Sequence, residues 1–216
     1  MNVALASIAP LPDVLLQPGL NGNGRRHLIG RHDLDPGALR HFNDLIAQID
    51  LNHVPLERDQ VASAARELID QRGDGFAPAC IRQRMRRAGA IDLMLVDPEW
   101  EVAALPAFAA RVVVDYIRGT VNLIPNTMPV VGRLDDAVLV EIAWPRAADE
   151  VRDYLDFCRL RRVEAELRRA THLYFGFDRG QWTVARRAES EWIAHCQRVA
   201  TSSYVPPTAS QRFRVS

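Results

Sequence analysis

Asn122-Leu-Ile-Pro-Asn-Thr-Met-Pro129, running on into Val-Val-Gly-Arg-Leu-Asp-Asp-Ala137, is the stretch on which the fold turns. Pro125 and Pro129 forbid a continuous helix here, because proline lacks a backbone N–H and excludes helical geometry from the residue before it. Apolar residues at helical spacing flank the break. The sequence therefore predicts a hairpin of two helical arms, one from Glu99 to about Gly119 and one from Leu134 to Trp144. At the head of the second arm, Asp135 and Asp136 stand where carboxylates satisfy free N–H groups and complement the positive dipole end. Pro145 then marks a kink or restart. A long polar helix from Ala147 to about Arg169 follows, with Val151, Tyr154, Leu155 and Cys158 turned inward and Asp156 spaced to pair with Arg159.

Upstream of the hairpin, Asp35 before Pro36 reads as an N-cap with proline at the first helical position, and Leu39, Phe42, Leu45, Ile46 and Ile49 recur at helical spacing. A second helix begins near Pro55, gathers Val61, Ala64, Ala65, Leu68 and Ile69 on one face, and stops at Gly73. A third runs from about Pro78 to Ala88 and ends at Gly89. It buries Ile81 and Met85 and sets Arg82, Arg84, Arg86 and Arg87 around its other faces. Downstream, Thr171 to Phe177 reads as a short strand or an extended connection, and Val184 to Ala200 as a last helix. The fold class that results is all-α, a helical bundle built around a proline-broken hairpin with disordered termini. Its segments are a flexible arm over 1–30, a helical region over 31–95, the hairpin over 96–146, a second helical region over 147–200 and a tail over 201–216.

The 216 residues are enough to bury a core, and 48% hydrophobic with 25% charged residues is a globular composition. Basic and acidic side chains number 27 each, so no net field draws the chain to nucleic acid or anionic lipid. Every basic residue is Arg. Schiff-base and Walker-lysine chemistry are thereby excluded. Cys80, Cys158 and Cys196 are odd in number and widely spaced, which fits neither a disulfide framework nor a metal site and makes a reduced, cytoplasmic setting the expectation. Met1 to Gly24 has no basic leader and is interrupted by Pro10, Pro12, Asp13 and Pro18, unlike a secretory signal. Val102 to Ile124 is the best candidate span. It carries Arg111, Asp115 and Arg118, each costing roughly 2.5–3.5 kcal/mol at a bilayer centre.

The run Asn122-Leu-Ile-Pro-Asn126, then Met128-Pro-Val-Val-Gly-Arg-Leu-Asp-Asp-Ala137, with Asp97-Pro98 and Trp100 ahead of it, resembles the core of the YkvA-like (DUF1232) family of small bacterial domains of unknown function. The resemblance spans about residues 96–146. It implies a helical hairpin, membrane association because the family's arms are apolar, and a motif of Asn122, Pro125, Asn126, Pro129, Gly132, Asp135 and Asp136. Asn122 and Asn126 stand where the family usually carries acidic residues, and two amides offer neutral hydrogen bonding and turn support instead. For Asp135 and Asp136 the structural reading is helix capping plus an ion pair with Arg111 or Arg118. The functional reading is a cation or ligand site.

No nucleophile, acid–base or Gly-rich phosphate motif appears, so no catalytic residue, metal ligand, cofactor or small-molecule substrate is expected. The function expected is that of a non-enzymatic adaptor or scaffold with an unidentified protein partner, in the cytoplasm or at the inner membrane, peripheral or embedded. One alternative is a nucleic-acid-binding regulator that uses the Arg-rich helix over 80–88, with Arg82, Arg84, Arg86 and Arg87 on phosphates or guanine edges. A weaker alternative is a metal-dependent hydrolase at Asp135 and Asp136.

Overall fold

The computed structural model of the chain describes residues 8–15, 27–71, 76–171 and 175–202. Six helices and a two-stranded hairpin make it mainly helical, in agreement with the all-α expectation. The chain divides into two compact units, residues 1–156 and 157–216.

After a single 3-10 turn at Asp13–Leu15, the first unit carries the short extended pair β1 (Leu28–Ile29) and β2 (His32–Asp33), antiparallel, with Ile29 opposite His32. Gly30 sits between them at φ +60°, the positive-φ first position that a two-residue turn of the II′ kind assigns to glycine. This region was expected to be part of a flexible arm. Instead Leu11, Leu15 and Ile29 are buried in the core. Polar contacts fix the segment as well: the Ala9 N–H donates to Gln83 Oε1 at 2.7 Å, and the Ala9 carbonyl accepts from Arg84.

Helix α1 (Pro36–Ile49) starts as the sequence predicts, with Asp35 Oδ2 accepting from the Ala38 N–H at 2.7 Å, and it buries Leu39, Phe42, Ile46 and Ile49. Helix α2 (Arg58–Asp70) starts three residues later than Pro55, because Gln60 Oε1 accepts from the Glu57 N–H and fixes the start there. The predicted stop at Gly73 lies outside the described residues. Helix α3 (Ala79–Val96) corrects the expectation of a stop at Gly89. It runs straight through that glycine because Ala90, Ile91 and Met94 continue its buried face, and Asp97-Pro98 ends it.

Helix α4 (Ala104–Arg118) is shorter than the predicted arm. Pro106 is tolerated only in a first turn, which sets the start, and residues 97–103 form an irregular lead-in. In that lead-in Asp97 accepts from the Glu99 N–H and the Tyr154 hydroxyl, and Trp100 meets the Tyr154 ring edge-on. Helix α5 (Leu134–Leu167) does not restart at Pro145, since one 34-residue helix carries the proline in its interior. Proline inside a helix costs about 3 kcal/mol. Ala143, Ala147 and Val151, all fully buried on either side of Pro145, offset it.

The second unit contains the end of α5 and helix α6 (Arg179–Ser202), which begins five residues before the predicted Val184. A reciprocal cap sets that start: Asp178 Oδ1 accepts from the Gln181 N–H at 2.8 Å and Gln181 Oε1 from the Asp178 N–H at 3.0 Å. Phe157, Phe177 and Phe175 stack in sequence, with Arg161 over Phe157 and Arg168 over Phe175. Arg159 forks onto both oxygens of Glu189. Residues 171 and 175–178 have no regular structure, so within the described residues Thr171 to Phe177 is a connection and not a strand.

Among the described residues Arg84 is the largest fully buried side chain, whereas the sequence set it away from the buried face of its helix. Its Nε donates to Glu141 Oε2 at 3.0 Å, and its Nη1 to the carbonyls of Ala9 at 2.9 Å and Cys80 at 3.0 Å. Replacing Arg84 with Met is expected to cost about 2 kcal/mol in urea denaturation, because the Ala9 and Cys80 carbonyls lose the buried donor they share. Arg84→Lys should recover less than half of that loss, since an ammonium lacks the planar fork.

Candidate functional site

The two arms meet at a loop, residues 119–133, whose shape follows from its prolines and glycines. The Pro125 carbonyl accepts from the Met128 N–H at 2.8 Å, and the Pro129 carbonyl from the Val131 N–H at 2.7 Å. The second bond closes a three-residue turn about Val130 at φ +68°. A β-branched residue there is strained by about 1–3 kcal/mol, and such strain persists only where the surroundings impose it. Gly132 is fixed by space: a Cβ would stand 2.6 Å from the carbonyl oxygens of Asn126 and Met128.

The loop is clasped from beneath. The Leu123 N–H donates to the Tyr116 hydroxyl oxygen at 2.9 Å, that hydroxyl donates to Asp135 Oδ2 at 2.7 Å, and the same oxygen accepts from the Ile124 N–H at 3.0 Å. Asp135 lies inside the first turn of α5, and its partners are the loop and α4. This corrects the expected ion pair with Arg111 or Arg118. Asp136, fully buried, instead pairs with Arg133 at 2.9 Å, and Arg118 pairs with Asp92 at 2.6 Å. Arg111 and Asp115 are exposed on α4. Asn126 is exposed, and the Asn122 side-chain oxygen is buried with no hydrogen-bond partner among the described residues.

Burial dominates the electrostatics of the pair. It pushes the Asp135 carboxyl up, against the pull of the Ile124 N–H and the Tyr116 hydroxyl. Asp136 is pushed up to about 6, first by burial and then by the Asp135 charge, with Arg133 pulling it back. Burial and the same Asp135 charge also push the Tyr116 phenol up.

Arg133 connects this buried cluster to the outside. It lines a cleft of about 400 Å³ together with Met85, Ala88, Gly89 and Asp92 of α3 and Val114, Ile117 and Arg118 of α4. The wall is mainly apolar and the charges are few. Sequence reasoning did not find this cleft. The one available signal was Gly89, read as a helix stop; it sits in the helix with nothing within 4 Å of where a Cβ would be.

The Arg-rich helix distributes its cations differently from the predicted basic face. Arg82 and Arg86 are exposed, whereas Arg84 and Arg87 are buried. Arg87 lies 4.1 Å from the Trp144 ring centroid and 3.8 Å from Glu141, and burial lowers its pKa. Two of the four residues named for nucleic acid therefore face inward. No group of three or more side chains suited to a metal is found among the described residues. Among the same residues no helix is long and apolar enough to cross a membrane. At 15 residues α4 spans about 22 Å, against a hydrocarbon core of about 30 Å.

Comparison with known proteins adds no relative: no family model matches the chain, and no curated protein or solved structure matches it.

The two glycines separate by experiment. Gly132→Ala is expected to destabilise the fold by about 3 kcal/mol, because its methyl meets rigid backbone. Gly89→Ala is expected to stabilise it by up to about 1 kcal/mol, because the helix gains propensity and the methyl enters open space. Thermal melts of the two variants check both. The carboxyl pair gives a pH signature. The folded state holds protons on Asp135 and Asp136 more tightly than the unfolded chain does, and the contribution of Asp136 to stability falls as pH rises from about 4 through about 6. Asp136→Asn should therefore gain stability relative to the wild type between about pH 4 and about pH 7, read as the difference between their urea midpoints.

Proposed function

We propose that the chain is a non-enzymatic adaptor or scaffold of the YkvA-like kind, acting through a helical protein partner in the cytoplasm or at the surface of the inner membrane. The observation that carries the reading is the outward face of α6. Val184, Ala188 and Trp192 recur every four residues on one face of that helix and all three are exposed, Val184 at 70% and Trp192 at 66%. Such a stripe, with a tryptophan at its C-terminal end, is the surface that packs against a second amphipathic helix. Tryptophan is also a residue type that concentrates binding energy in interfaces.

The non-enzymatic half of the reading rests on Asp135 and Asp136. Both are buried: Asp135 Oδ2 takes the Tyr116 hydroxyl and the Ile124 N–H that close the hairpin, and Asp136 Oδ2 takes Arg133, so neither is open to a substrate. A nucleic-acid role would rest on Arg82 and Arg86 alone within α3.

The test is the native size of the untagged protein in cell extract, before and after a high-salt wash of the membrane pellet. The wild type is expected in an assembly larger than the purified chain, and Trp192→Glu is expected to fall to the size of the purified chain while keeping its helical spectrum. A wild type that runs at the size of the purified chain in every fraction would overturn the proposal, as would a Trp192→Glu protein that stays in the assembly.

A further inference from the structure

We propose that the cleft between α3 and α4 is a binding site for a small amphipathic acid, with an apolar chain against Met85, Gly89, Val114 and Ile117 and a carboxylate at Arg118 and Arg133. This stands apart from the adaptor reading, since it uses a different surface in a different unit, and either can fail alone.

Size and lining come first. A concave, mainly apolar space of about 400 Å³ falls in the range of small-ligand sites, roughly 300–1,000 Å³, which pair apolar walls with a few placed polar groups. Gly89 supplies the second observation. A glycine in a helix interior costs up to about 1 kcal/mol relative to alanine, and here no neighbouring atom forbids the methyl. What the missing side chain leaves is open volume in the wall of the cleft.

The head group follows from the charges. Arg118 and Arg133 both line the cleft, at 60% and 42% side-chain exposure. A guanidinium carries five N–H donors. Arg118 gives Nη2 to Asp92 and Arg133 gives Nη1 to Asp136, which leaves donors on both for a carboxylate in the forked geometry that arginine favours. A cationic head would find only Asp92, already held by Arg118, because Asp136 is fully buried behind Arg133. The backbone at both arginines belongs to the ends of held elements. Arg133 directly precedes α5, at the end of the loop that Tyr116 and Asp135 clasp, and Arg118 is the last residue of α4.

Calorimetric titration of the full chain with decanoate and with decan-1-ol tests the proposal. Decanoate is expected to bind saturably at one site per chain and decan-1-ol much more weakly. Gly89→Leu, which fills the cleft, should abolish the saturable heat while leaving the helical spectrum intact. Arg133→Gln should weaken decanoate by about tenfold, the value of one charge-assisted hydrogen bond, and leave decan-1-ol unchanged. Arg133 also holds Asp136, so Arg118→Gln, whose partner Asp92 is at the surface, serves as the second variant and should weaken decanoate in the same direction. The proposal is overturned if wild-type protein shows no saturable decanoate binding or if decan-1-ol binds equally well. Undiminished decanoate binding by folded Gly89→Leu or by Arg118→Gln would overturn it too.

Discussion

One carboxylate oxygen, Oδ2 of Asp135, holds the hairpin closed. It receives the Tyr116 hydroxyl from α4 and the Ile124 N–H from the loop, and the same hydroxyl receives the Leu123 N–H. Two backbone donors that the loop's own turns leave unpaired are thereby satisfied in the interior, where an unmet donor costs about 1–3 kcal/mol. Everything the loop does next depends on this. With residues 123 and 124 fixed, the chain must turn sharply at Pro125, Val130 and Gly132 to reach the start of α5, and the strain at Val130 is the cost of that route. Arg133 emerges from the turn pointing both ways, toward the buried Asp136 and into the cleft.

A second polar anchor does for the rest of the unit what Asp135 does for the hairpin. Arg84 joins the N-terminal segment, its own helix and α5 through three hydrogen bonds, and Arg87 lies against Trp144 beside it. The first unit thus sets its helices around Arg84 and Asp135, two of its buried ionisable groups. Such groups stabilise little in net terms, because desolvation offsets the pairing. Each can be satisfied only in one arrangement of its neighbours, which makes them effective at selecting it.

The sequence made the helices legible wherever hydrophobic spacing and a local cap agreed. Asp35 and Pro36 at α1 are the clearest case, with Leu39, Phe42, Ile46 and Ile49 all buried as their periodicity requires. It misled where a single residue type was read as punctuation. Gly89 and Pro145 are both helix breakers by propensity, and both lie inside helices because buried apolar residues continue past them. Arg84 and Arg87 were illegible for a related reason: four arginines in six positions look like a solvated face, and nothing local shows that Glu141 and Trp144 wait on another helix to receive two of them. At the candidate site, the motif residues were found by their pattern. The partners that give them meaning, Tyr116 above all, lie outside the pattern and could be identified only from the packing.

The reach of Arg84 also bears on how the first unit forms as it leaves the ribosome. Its contacts extend 75 residues back to Ala9 and 57 residues forward to Glu141. Helices α1 to α3 can form locally as they emerge, but the guanidinium has no counter-ion to bury against until α5 has been made. Closure of such distant contacts is slow, since the entropy of bringing the ends together must be met before they contribute. Synthesis at about 5–20 residues per second leaves the partly assembled helices waiting for several seconds with their apolar faces open. In that interval water stands in for Glu141 at the Arg84 guanidinium, whose burial is completed only when α5 arrives.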